Sequence, residues 1–141
     1  MSEMTPRQRF EARLAAAGDV GAVVEVGIPM RDGVELAADI YLPDASALPA
    51  PAIVQITPYD KSNPTFFPAE GRFYQEHGYA FVVVDVRGRG KSEGEWRAFV
   101  NDPQDGYDII EWVAAQDWCT GKVGTTGLSY MGWTQWAAAS E

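Results

Sequence analysis

The segment Tyr79 to Asp85, YAFVVVD, constrains this chain more than any other. Its apolar run from Ala80 to Val84 has no polar interruption and is rich in valine. A strand with one wet face alternates apolar and polar residues, whereas one without alternation is covered on both faces. Helices must therefore lie on both sides of this strand, in a sheet built mainly of parallel strands. With 141 residues, the chain is long enough for one such domain with a core of its own.

The flanking sequence supplies the other layers. VVEVGIPM and VELAADIYL are strand-like runs around Arg31-Asp32-Gly33, and Asp-Gly is a strong hairpin signal. The proline-rich loop PDASALPAP leads into AIVQITP, a short buried strand over Ala52–Pro58. YDKSNPTFFPAEG is long for a connection in a compact domain, and long loops are often functional. A helix is expected over Pro68–His77, and another over Asp105–Ala115 with Tyr107, Ile110, Trp112 and Val113 on its apolar side. KVGTTG then reads as a strand, and LSYMGWTQWAAASE as a helix with no stop signal. An opening hairpin followed by alternating strands and helices is the pattern of an α/β fold. Ahead of it, Thr5–Ala17 reads as a helix capped by Thr5 and ended by Gly18. The expected organisation is a helical extension over residues 1–18 and an α/β domain over 19–141.

Charge and cysteine usage narrow the partners. The net charge is −9, from 20 acidic and 11 basic residues, which argues against nucleic acid or an anionic membrane as partner. One cysteine, Cys119, and one histidine, His77, exclude a disulfide framework and argue against a zinc site. Cys119 is expected to be a buried structural thiol. No metal or other cofactor is expected. The N-terminal stretch has no uninterrupted apolar run, so neither a signal peptide nor a membrane anchor is expected, and the cytoplasm is the default location.

The turn after the central strand, Arg87-Gly88-Arg89-Gly90-Lys91-Ser92, looks like the start of a phosphate-binding loop. That loop needs its first glycine where this chain has Asp85, and a carboxylate there repels phosphate. No helix is expected to begin at Lys91-Ser92 either, which removes the dipole that would attract the anion. The turn reads instead as a tight exit from a buried strand, capped or braced by Asp85, with one of the arginines as a possible partner.

A sharper signal lies in VGTTGLSYMGW. A short strand ends at Gly127 and Ser129 stands at the start of a helix, the shape of a nucleophile elbow. Glycines on both sides are expected to let strand and helix approach closely. The helix N-terminus places N–H groups, chiefly that of Tyr130, where an oxyanion would develop. The usual pattern is Gly-x-Ser-x-Gly; here Met131 takes the second glycine's place and Gly132 follows one position late. The plainer alternative is that Ser129 only caps the helix.

Several motifs in order resemble one family: the serine hydrolases of the CocE/NonD type, which include acyl esterases, α-amino-acid ester hydrolases and Xaa-Pro dipeptidyl-peptidases. GLSYMG resembles their elbow, late glycine included, and MRDGVELAADIYLPD their opening hairpin. TPYDK is similar to their oxyanion segment, and DVRGRGKSEGEW to their glycine-rich turn. The resemblance implies the N-terminal part of an α/β-hydrolase core, with Ser129 as nucleophile. It implies that Tyr59 gives its hydroxyl to the oxyanion hole together with the Tyr130 backbone N–H. The implied substrate is a small ester, amide or short peptide.

A serine nucleophile needs a base and an orienting carboxylate, which in this fold follow it in the order acid, then histidine. No histidine or aspartate follows Ser129, and His77 has the wrong topology for the base. The chain is therefore expected to be an inactive N-terminal fragment of a hydrolase, truncated after the elbow. The alternative is a non-catalytic α/β binding or interaction domain derived from one.

Overall fold

The computed structural model describes residues 22–141. The helix expected over Thr5–Ala17, and with it the extension over 1–18, lie outside the described residues. Strands β1 (Val23–Pro29) and β2 (Glu35–Tyr41) form the expected antiparallel hairpin, with Val24 opposite Ile40 and Glu25 opposite Asp39. Strands β3 (Ala50–Thr57), β4 (Ala80–Asp85) and β5 (Cys119–Thr125) are mutually parallel. The hairpin joins them through an antiparallel pairing of β2 with β4, and the sheet order is β1-β2-β4-β3-β5.

Helix α1 (Phe67–Glu76) connects β3 to β4, and α2 (Asp102–Ala114) connects β4 to β5. The chain steps from β3 to β4 in one direction and returns past β3 to β5 in the other. Crossovers of one hand in opposite directions place their helices on opposite faces. Every residue of β4 is buried. Val82 and Val84 pack with Ile109 and Val113 of α2, while Phe81 and Val83 pack with Phe67 of α1. Helix α3 (Tyr130–Ala139) follows β5 and packs mainly against α2.

Three local expectations shift. Helix α2 starts at Asp102 rather than Asp105, because Pro103 suits a first-turn position and Asp102 and Asp105 suit the positive helix end. Its core side is centred on Ile109 and Val113, and Tyr107 faces outward. Strand β5 begins at Cys119, three residues before KVGTTG, because its start is drawn into pairing with Ala50 of β3.

Candidate active site

Strands β3 and β5 are neighbours, and their carboxyl ends lead into α1 and α3. Such an edge, where successive connections part to opposite faces, is the natural ligand crevice of a parallel sheet. Ser129 sits there with φ 59° and ψ −129°. A left-handed backbone at a residue with a Cβ costs about 1–3 kcal/mol and persists only where its surroundings hold it. The holding contacts are explicit. The Gln135 side-chain amide donates to the Gly127 carbonyl at 2.9 Å, and the Gly132 and Trp133 amides donate to the Ser129 carbonyl. The buried Thr134 hydroxyl donates to the Ile56 carbonyl at 3.1 Å, tying α3 to β3.

The glycines on either side of Ser129 are not equivalent. Gly127 has φ +131°, and a Cβ there would lie 2.5 Å from the Met131 Cβ. A Cβ on Gly132 would meet only the Gly127 carbonyl, at an ordinary 3.7 Å. Close approach is thus required on one side alone, contrary to the expectation of two. Ser129 makes no side-chain capping hydrogen bond, so the plain capping role is not what its hydroxyl performs.

That hydroxyl faces Tyr59, on the loop after β3. Tyr59 Oη lies 3.3 Å from Ser129 Oγ, across seventy residues of sequence. This is long for a hydrogen bond between two hydroxyls. The Tyr59 N–H donates to Thr57 Oγ1 at 3.0 Å, which fixes the start of the loop.

Tyr130 presents its backbone and hides its ring. Among the described residues its N–H has no acceptor, while the three amides that follow it are all engaged. It is the first residue of α3, so the helix dipole adds to its pull on negative charge. The phenol donates to Asp102 Oδ2 at 2.5 Å and accepts the Phe99 N–H at 2.9 Å. Burial, and then the Asp102 carboxylate, push it well above the usual tyrosine range, so it stays protonated. Trp133 Nε1 donates to the same Asp102 oxygen at 2.9 Å. Phe99 stacks on the Tyr130 ring with centroids 5.0 Å apart.

Asp60, Phe99 and Ser129 are the non-glycine residues with positive φ among those described. Asp60 follows Tyr59, and Phe99 grips Tyr130. Strained backbone of this kind gathers where geometry is over-determined for function. No motif in the sequence marked Phe99 or Asp102. An exposed aromatic in a polar loop and an acid before a proline carry no chemistry until the fold brings them to Tyr130.

Asp85 braces its turn, but not through an arginine. Its carboxylate accepts the Lys61 N–H at 2.8 Å and the Lys91 N–H at 3.0 Å. Burial pushes its carboxyl above the usual range, against the pull of those two amides. Arg87 turns instead to Asp105 and Asp32, and Arg89 reaches the Pro58 carbonyl. The reason is steric: Gly90 lies so close over the Asp85 carboxylate that a Cβ there would overlap it, leaving only backbone donors in reach. The turn's amides at Gly88, Arg89, Lys91 and Ser92 all donate within the protein, and Lys91 Nζ pairs with Glu25. They form no crown of free N–H groups for phosphate.

Lys61 was invisible as anything but a loop charge. Its side chain is 0% exposed, with Nζ 2.8 Å from Glu25 and 2.7 Å from Asp39. The signal lay in the hairpin register, which sets Glu25 directly opposite Asp39. Two like charges facing each other across strands are unfavourable unless a cation joins them.

His77 ends α1, with Nδ1 2.7 Å from the Phe73 carbonyl. Helix α1 runs from the carboxyl end of β3 back to the start of β4, so His77 lies at the sheet edge opposite Ser129. Cys119 is buried, as expected. Among the described residues no cluster of histidine, cysteine or acidic side chains could hold a metal ion, and no helix is long and apolar enough to cross a membrane.

A serine at a strained strand-to-helix turn, on a mixed sheet of order β1-β2-β4-β3-β5, defines the N-terminal part of an α/β-hydrolase core. The chain belongs to the X-Pro dipeptidyl-peptidase (S15) family, whose sequence pattern matches residues 32–141. It is 42% identical to cocaine esterase from Rhodococcus sp. (strain MB1 Bresler), over 86% of this chain and 22% of that protein. Its fold superposes on an α-amino acid ester hydrolase with a TM-score of 0.76 at 33% identity, covering 87% of this chain and 24% of that one. A CocE/NonD family hydrolase from Staphylococcus aureus gives 0.68 at 31% identity, covering 86% and 24%. The family is one of hydrolases acting on esters and peptides, and the chain spans about a fifth of the length of the cocaine esterase it matches.

Proposed function

We propose that this chain carries the nucleophile and oxyanion hole of a serine hydrolase that works by acyl transfer on ester, amide or peptide bonds. The observation that carries the reading is the approach of Tyr59 Oη to Ser129 Oγ, 3.3 Å apart at the sheet edge where the serine backbone is left-handed. Ser129 Oγ attacks the substrate carbonyl carbon. The carbonyl oxygen becomes an oxyanion and takes hydrogen bonds from the Tyr59 hydroxyl and the Tyr130 N–H. Collapse of this tetrahedral species expels the alcohol or amine and leaves an acyl-serine for water to hydrolyse.

The proton of Ser129 must go to a base. His77, at the opposite edge, cannot take it, so the reading assigns the base and its carboxylate to a longer protein of which these residues form the N-terminal part. The substrate is a small acyl compound, and the reaction as proposed uses no cofactor. In the whole protein, p-nitrophenyl acetate turnover should vanish with Ser129→Ala and fall about a hundredfold or more with Tyr59→Phe. Undiminished turnover in the serine variant overturns the assignment.

A further inference from the structure

We propose that Lys61 is a positioning residue that holds the Tyr59 hydroxyl at Ser129, by seating its buried ammonium on the Glu25–Asp39 pair of the hairpin. The inference rests on the reading of Tyr59 as an oxyanion donor and extends it to the hairpin.

Tyr59 cannot hold itself in place. Its side chain is 43% exposed, and its one hydroxyl partner among the described residues is Ser129. The loop is clamped on either side of it instead. Thr57 Oγ1 accepts the Tyr59 N–H, and two residues on, Lys61 is fixed at both ends. Its N–H donates to Asp85 Oδ1 at 2.8 Å, and its ammonium bridges Glu25 and Asp39 at 2.8 and 2.7 Å. Asp60 between them is left-handed, with φ 70°. The backbone that carries the phenol is thus bent around a two-point anchor.

Stability does not explain a lysine here. Desolvating an ammonium and a carboxylate costs enough that an apolar side chain of similar volume often does as well or better. Burial alone would push the Lys61 ammonium down, yet the two carboxylates outweigh it and hold it above the usual lysine range. What the ion triad supplies is a fixed point. A methionine packs loosely and tolerates several rotamers, whereas an ammonium held between two carboxylates has one seat. Misplacing a reacting group by about 1 Å can cost about a hundredfold in rate, and a phenol on a mobile loop is open to that loss.

The test combines a double-mutant cycle with a spectroscopic probe in the whole protein. Lys61→Met should lower kcat for p-nitrophenyl acetate roughly tenfold to a hundredfold with KM little changed. It should do nothing further in a Tyr59→Phe background, since the hydroxyl it positions is gone. Lys61→Met leaves Asp39, whose side chain is only 14% exposed, without its cation, so Lys61→Met/Asp39→Asn removes that charge and should show the same kcat loss. With 3-fluorotyrosine at position 59, Ser129→Ala should shift the fluorine resonance when Lys61 is present, and should no longer do so with Lys61→Met. An equal kcat loss from Lys61→Met in the parent and in the Tyr59→Phe variant makes the role merely structural and overturns the proposal. If Tyr59→Phe leaves kcat unchanged, the oxyanion reading fails. The fluorine resonance then still decides on Lys61, and a Ser129-dependent shift that survives Lys61→Met overturns its role.

Discussion

At the level of single residues, the elbow shows which part of a motif is chemistry and which is spacing. Gly127 is obligatory because its φ of +131° and the nearby Met131 Cβ leave no room for a side chain. Gly127→Ala should therefore lower stability by about 2 kcal/mol or more, from backbone strain and overpacking together. Gly132 lies within α3, where a Cβ meets ordinary contact distance. Gly132→Ala should be neutral, or stabilising by up to about 1 kcal/mol, since alanine favours a helix over glycine. Urea midpoints of the two variants check the contrast, and equal losses would refute it. The sequence pattern alone could not rank these glycines, because it shows spacing and not which backbone crosses which side chain. Ser129 was legible for the opposite reason: a serine between a strand and a helix, flanked by glycine, carries its own geometry in the local sequence. Tyr59 was legible only through resemblance, since nothing in a polar loop says where an aromatic points.

At the level of elements, the parallel strands were readable because burial on both faces erases alternation, as in β4. Helix ends were less readable: Pro103 and Asp102 offer α2 an earlier start than Asp105, and the contacts of Asp102 with Tyr130 and Trp133 that add to it are visible only in space. The same holds for the ion triad between the hairpin and the Tyr59 loop. Hydrogen bonds to Lys61 first, and then to Lys91, hold the Glu25 carboxyl down at about 2. A carboxyl with a depressed folded-state pKa adds stability that is fully present above its ordinary value near 4.5 and is lost as pH falls toward 2. Glu25 is about half exposed, so solvent screening keeps its share to ~1 kcal/mol. Glu25→Gln should thus melt lower than the parent at pH 7 and approach it at pH 3. A deficit that persists undiminished at low pH would mean the ion pair is not its cause. A second tie is testable beside it. Thr134→Val keeps the shape but strips the buried donor from the Ile56 carbonyl, and should cost about 1 kcal/mol in unfolding free energy.

At the level of the molecule, the two halves of the proposed catalytic apparatus stand in unequal states. The carboxyl edge of the sheet gathers Ser129, the Tyr59 hydroxyl and the Tyr130 amide, held by strained backbone and by Asp102. The single histidine of the sequence ends α1 at the other edge, bonded to the Phe73 carbonyl. Without a base beside it, a serine hydroxyl remains a neutral alcohol of little nucleophilic power. Beside the elbow, Leu128 and Trp136 are 75% and 78% exposed, and β5 pairs on one side alone among the described strands. Large apolar side chains and a bare strand edge on one rim favour association. The polypeptide of residues 1–141, expressed by itself, should therefore show no Ser129-dependent hydrolysis of p-nitrophenyl acetate and should self-associate in sedimentation velocity. A non-catalytic binding domain would give the same null assay but sediment as a monomer and melt in one sharp transition. Ester turnover by this polypeptide that Ser129→Ala abolishes would show that a base reaches the serine from within these residues, and would overturn the division of the site proposed here.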